Sequence, residues 1–320
     1  MKNLLKIKCL ALLTFFAIVG TSCDNNDDDN SAPVDNTITE KAIATTNLSI
    51  LVQALVKADL AITLQGTGPY TVFAPTNEAF TAFLATTSYA TINDVPKDVL
   101  TQILLNHVVT GAVKSTDLST GYIKTLAKGS ASATNTLSMF VNTSGGVKLN
   151  GVAKVTTADI MASNGVIHIV DKVIGLPTIV THATANPNFT SLVGALTGAG
   201  QPNFVSILSG TGSFTVFAPT NDAFTALNAE LAPGGIVGVS AANLTKVLQY
   251  HVVSGNVLAA SLTEGQVVAT LQTPQTFTIQ LTGGAKIKDA NNRISTIIAT
   301  DVQCSNGVIH VLNKVLLPIL

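Results

Sequence analysis

The side chains best suited to proton transfer or metal binding in this chain are five histidines, and four of them come in matched pairs. His107 and His251 each precede Val-Val, and His168 and His310 each close an Asn-Gly-Val-Ile-His segment. A catalytic imidazole needs a nucleophile and an orienting group beside it, and a zinc helix needs two histidines four apart around a glutamate. The chain has no HExxH, no paired cysteines and no GxSxG elbow, the motifs that carry those chemistries. Its carboxylates are sparse, which is poor ground for a glycosidase working with two acids. No catalytic residue, metal or cofactor is therefore expected. His107 and His251 fall at helix ends, where a donor can satisfy the last carbonyls. His168 and His310 fall inside apolar strands. A structural hydrogen bond is the expected role of all four. His182 stands alone near the middle of the chain and reads as a surface residue.

The three cysteines have separate fates. Lys2, Lys6 and Lys8 precede an apolar run, Cys9 to Gly20, too short to span a bilayer as a settled helix. Residues 1–22 read as an export signal that takes Cys9 with it. Gly20, Thr21 and Ser22 lead to Cys23, an ending that resembles a bacterial lipoprotein signal with Cys23 as the acylated residue, although Gly20 departs from the usual Leu. An ordinary secretory cleavage site is the alternative. Residues 23–36 carry Asp24, Asp27, Asp28 and Asp29, a solvated tether that buries no apolar surface. An acidic run after a lipidated cysteine resembles the export signal of surface-displayed lipoproteins of Gram-negative bacteria. As a calcium loop it lacks the turn glycine, since Asp29 holds that position. Cys304 stands where the other repeat has Ala162 and reads as a small buried apolar residue; a reactive thiol is the alternative.

The whole chain has 17 basic and 18 acidic residues, and losing the three leader lysines leaves a net charge of −4. The four tether aspartates account for all of it, so the remainder is close to neutral. No basic patch marks a nucleic-acid partner.

The elements that must position the histidines repeat. Tyr70-Thr-Val-Phe-Ala-Pro-Thr-Asn-Glu-Ala-Phe80 recurs as Phe214 to Phe224, with nine of eleven positions identical. Each copy reads as a strand stopped by proline, which has no N–H for a sheet ladder. A helix then begins on a threonine N-cap, Thr76 or Thr220, followed by Asn77 or Asn221. Phe80, Phe83 and Leu84 give that helix one apolar face. The histidine segments recur at spacings of 144 and 142 residues, which means two globular domains rather than a solenoid. Further strands are expected at 122–126 and 136–141, then a hairpin at 148–152 whose Asn150-Gly151 signals a type I′ turn. The second repeat has a longer polar turn there, 289–292. A continuous apolar strand is expected over 166–173. The sum is an α+β fold present twice, with boundaries at 37–177 and 178–320 and the two domains in contact.

In order and in both copies, these landmarks resemble the fasciclin domain family. Thr71 to Asn77 resembles its first signature, Tyr250-His251 its central segment and Asn164 to His168 its closing signature. Asn106 stands where the family tends to have tyrosine, so a role for that phenol is not carried to the first repeat. The resemblance implies a wedge-like β-sandwich with helices packed along one side. It also implies adhesion or extracellular binding rather than catalysis. In animal matrix members an Asp-Ile pair before the closing signature is implicated in receptor binding. Asp159-Ile160 matches that pair, and Asp301-Val302 is its counterpart. The alternative is that Asp159 caps a turn while Ile160 enters the core. The function expected is a surface-anchored adhesion protein, held to the membrane by lipid on Cys23 and facing outward from the outer membrane. It would bind an extracellular protein or polysaccharide, with self-association possible. A lipid-anchored enzyme or ligand carrier using His107 or His251 is the second class.

Overall fold

A computed structural model describes residues 36–209 and 212–320. The leader, Cys23 and the acidic tether lie outside the described residues. In the first repeat, helices α1 (Ile38–Ala44) and α2 (Ser49–Lys57) precede strand β1 (Tyr70–Pro75). Helices α3 (Asn77–Leu84) and α4 (Lys97–Leu105) follow. The chain then runs through β2 (Val108–Thr110), β3 (Gly121–Gly129), β4 (Ser132–Asn142), β5 (Lys148–Leu149), β6 (Ala153–Ala162) and β7 (Gly165–Val170). The second repeat opens with α5 (Ile179–Ala185), α6 (Thr190–Leu196) and α7 (Phe204–Ser209), then β8 (Phe214–Pro219), α8 (Asn221–Glu230) and α9 (Ala241–Tyr250). It ends with β9 (Val252–Ser254), β10 (Val267–Ala269), β11 (Thr276–Gln280), β12 (Lys286–Lys288), β13 (Ile294–Cys304) and β14 (Gly307–Leu312).

The motif strand of each copy, β1 or β8, has a paired strand on both sides. β1 pairs antiparallel with β2 on one side and parallel with β7 on the other. The parallel pair brings Phe73 opposite His168, joining the first and last signatures across nearly a hundred residues. Such a strand is covered on both faces, which is why it reads as an unbroken apolar run. Val72 and Ala74 point to the helices α1 to α4, while Phe73 points into the β-core with Met139, Leu149 and Val170. β8 divides in the same way, Val216 and Ala218 to the helices and Phe217 to the β-core. Each repeat thus has two cores separated by one sheet. In the first repeat the seven strands close into a ring; in the second they form a seven-stranded sheet in the order β10-β11-β12-β13-β14-β8-β9. β8 likewise pairs parallel with β14, and the remaining pairings are antiparallel, so the expected α+β architecture is the observed one.

Four strands depart from their expected bounds for tertiary reasons. Pro75 is the last strand residue rather than a residue beyond it, because a parallel partner, Val170, still lies opposite. β3 and β4 run longer than the pattern indicates. Their tip reaches the second repeat, where Ala131 N–H donates to Ser305 O at 2.9 Å. β7 ends at Val170 rather than 173, because the chain turns so that Ile174 N–H can reach His107 Nε2 at 2.9 Å. Asn150 (φ +46°) and Gly151 (φ +70°) are both left-handed, as a type I′ turn requires.

Contact between the repeats is direct. Lys124 Nζ donates to Asp301 O (2.8 Å), Gln303 N–H to Ser138 Oγ (3.0 Å) and Asn186 Nδ2 to the Tyr122 hydroxyl (3.1 Å). Tyr122 of β3 packs against the helix-side core of the second repeat. No helix among the described residues is long and apolar enough to cross a membrane.

Candidate functional site

The paired histidines share one wiring scheme per pair. His107 follows the last turn of α4, and its Nδ1 donates to Ile103 O four residues back at 2.8 Å. Its Nε2 accepts from Ile174 N–H. His251 repeats this with Val247 O (2.7 Å) and Leu316 N–H (2.9 Å). A ring nitrogen facing a carbonyl must donate and one facing an N–H must accept, so both imidazoles are fixed in the neutral Nδ1–H form. Burial pushes both down to about 4, with the helix carbonyl opposing. His168 and His310 use the other tautomer. Their Nε2 donates to Val113 O and Val257 O, both at 2.9 Å, and their Nδ1 accepts from Asp159 N–H (3.2 Å) and Asp301 N–H (3.4 Å). Each also stacks on the phenylalanine of the central strand, Phe73 or Phe217. Neither nitrogen of any of the four is free to take a proton from a substrate.

The polar residues of the first signature tie helices together. Thr76 and Thr220 cap α3 and α8 through Ala79 N–H and Ala223 N–H. Asn77 Oδ1 accepts from Ile50 N–H at the start of α2, and Asn221 Oδ1 accepts from Ser191 N–H at the start of α6. The asparagines that open the closing segments, given no role from sequence, do comparable work. Asn164 accepts from Ile38 N–H and donates to Leu64 O and Gly66 O; Asn306 accepts from Ile179 N–H and donates to Leu208 O. Their one sequence signal is recurrence of the same Asn-Gly in both closing segments. Where the first repeat lacks the tyrosine, Asn106 is fully buried and bonds Gly175 O and Thr125 Oγ1. Tyr250 instead donates its hydroxyl to Thr276 O and receives Ala290 N–H.

The matrix-type pair sits at a bulge. Asp159 (φ +61°) and Asp301 (φ +57°) are left-handed where β6 and β13 slip register against β7 and β14. Asp159 accepts from both the N–H and the hydroxyl of Ser115, bonds that hold its carboxyl below the usual range. Asp301 accepts from Ala259 N–H. Each aspartate therefore caps a short 3₁₀ turn, with about a third of the Asp159 side chain left exposed. Ile160 is half-buried against the helix-side core, and Met161 beside it is 49% exposed. Val302 corrects the expectation of a contact residue. It is 3% exposed and part of the second repeat's core, so its side chain offers a partner no surface in this conformation.

His182 corrects another expectation. It is not on the surface but fully buried at the junction, its ring edge-on to Tyr122 at 5.3 Å. Burial pushes it down to about 3. The Ser138 backbone is near enough to oppose that shift, but neither ring nitrogen makes a hydrogen bond of normal geometry. The missed signal is its place on α5, where it occupies the buried face turned toward the first repeat. Cys304 is fully buried as expected, and burial drives its thiol upward. No group of three or more His, Cys, Asp or Glu fit to hold a metal occurs among the described residues.

Known proteins with the same pattern supply the context. Protein sll1483 of Synechocystis is 41% identical over 143 residues, 44% of this chain and 73% of its own length. Immunogenic protein MPB70 of Mycobacterium bovis is 35% identical over 139 residues, 42% of this chain and 66% of its own. Human periostin is 29% identical over 262 residues, which is 80% of this chain but 29% of periostin. This chain thus spans under a third of that animal relative. A solved FAS1 domain pair from the insect cell adhesion molecule Fasciclin I aligns over 88% of this chain and 95% of its own, at 18% identity and a TM-score of 0.48. The fasciclin domain model matches residues 46–177 and again 187–318, each span holding one motif strand, one helix-end histidine and one buried closing histidine. This chain belongs to the fasciclin domain family and carries the domain twice.

Proposed function

We propose that this chain is an extracellular adhesion or binding protein that uses exposed surfaces of its two fasciclin domains to hold a protein or polysaccharide partner. The observation that carries this reading is the commitment of both ring nitrogens in His107, His168, His251 and His310 to backbone groups. The residues shared by the repeats build the frame, which leaves function to surfaces where the repeats differ. Family membership supports an extracellular binding role in general. The sequence of the leader supports anchoring through lipid on Cys23, with the acidic tether directing display on the outer face of the outer membrane. Two domains on one anchor raise avidity if both engage a single partner.

A glycan and matrix-protein array probed with the lipid-free 37–320 fragment tests the binding reading. Saturable capture of a defined partner is expected, and absence of any such partner counts against it. Anchoring is tested separately by Cys23→Ala, which should release the protein from the membrane fraction. Continued membrane association would refute the lipid anchor. An enzyme or carrier using His107 or His251 would show itself differently: His107→Gln and His251→Gln would fold normally and lose activity.

A further inference from the structure

The repeats differ most at the turn after β5 and β12, and that difference leaves a groove open in one repeat and closed in the other. In the second repeat the turn residues 289–293 fold back over α8 and the chain end. Arg293 pairs with Glu230 on α8 and donates to Val315 O at 2.8 Å. The Asp289 carboxylate accepts Leu317 N–H at 3.0 Å, and Asn291 Nδ2 donates to Leu317 O and Pro318 O.

In the first repeat the short Asn150-Gly151 turn reaches none of the matching positions. A groove of about 420 Å³ remains there, floored by Ala79, Ala82 and Phe83 of α3 and walled by residues 172–176, with Thr181 of α5 at one end. Thr86 stands where Glu230 does, and exposed Gly175 where Leu317 does. Lys172 is the one charged residue lining the groove. Asn150, 2% exposed and also part of its wall, has an Nδ2 with no hydrogen-bond partner.

We propose that this groove is a docking site for an acidic turn of a partner polypeptide, supplied from outside where the second repeat supplies Asp289 from its own chain. The occupant must be acidic. The groove offers the Lys172 ammonium, the Asn150 amide and the Gly175 N–H as donors, and it lacks the glutamate that holds Arg293 in the other repeat. The apolar floor of Ala79, Ala82 and Phe83 takes small side chains. The partner chemistry is thus a turn led by Asp or Glu and followed by small or amide residues. This rests on the binding-protein reading above and assigns that reading a place and a partner class.

The test uses the full chain and a cyclic peptide of this protein's residues 286–294 carrying Lys286→Ser, Lys288→Ser and Arg293→Gln, which leaves Asp289 as its one charged side chain. Saturable binding is expected, with amide shifts in α3 and at 172–176. Asp289→Asn in the peptide should weaken it at least tenfold. Ala82→Trp, an exposed position that fills the groove, should abolish binding without changing the melting temperature, and Lys172→Glu should weaken it at least fivefold. No binding, or equal binding of the Asn peptide, overturns the proposal. An array partner that still binds Ala82→Trp also overturns it while leaving the general binding role intact. An array with no partner at all removes the role itself.

Discussion

At the level of single residues, the histidines make stability depend on pH in a defined direction. His107 and His251 sit near 4 when folded and at 6.5 when free, and His182 sits lower still, near 3. Below pH 6.5 the unfolded chain takes up protons that the folded chain refuses, so stability is complete above that pH and falls as pH drops toward 4. Each imidazole with a shift of that size costs roughly 3 kcal/mol at the acid end. Denaturant titrations at pH 7.5 and 4.5 should show a loss of several kcal/mol, and a flat profile would contradict the buried neutral imidazoles. Asp159 is the second test at this scale. As the cap of the turn at Ser115, Asp159→Ala should cost about 1 kcal/mol, the usual loss for a capping carboxylate. A melting temperature identical to that of the parent would mean the cap holds nothing.

Among elements, the closing hairpin carries the strongest local constraint. Gly165 (φ +154°) and Gly307 (φ +157°) lie against the central strand, and a Cβ there would stand 1.9 Å from Tyr70 O and 2.0 Å from Phe214 O. Backbone cannot yield that far. Gly165→Ala and Gly307→Ala should each destabilise by more than about 3 kcal/mol, among the larger single-residue effects; soluble variants with parental midpoints would refute the close approach. Such turns and caps were legible because their signals are local. Asn150-Gly151, Thr76 and the apolar face of α3 each declare themselves within a few residues. The parallel pairing of β1 with β7 was not, since nothing in Thr71 to Ala74 says which distant strand lies beside it. His182 was misread for the same reason. His182 lies three residues after Ile179 on the buried face of α5, but that spacing does not say which domain covers it. Asp159 was legible as a turn cap and as a family landmark, and the bonds to Ser115 show the cap.

At the scale of the whole molecule, the two repeats share a contact built around Tyr122. Its ring packs against the second repeat's core and its hydroxyl accepts from Asn186. Truncating a partly buried ring of this size costs about 2 kcal/mol. Tyr122→Ala should therefore separate one melting transition into two, and a single unchanged transition would show the contact to be idle. The shared histidines are structural, which leaves binding to the surfaces that differ. A long-range ¹H–¹⁵N spectrum of the imidazoles at pH 5.5 reads all five at once. Neutral rings are predicted at His107, His182 and His251, with the proton on Nδ1 in His107 and His251. A ring at His107 or His251 that titrates near 6.5 while the protein stays folded would contradict it.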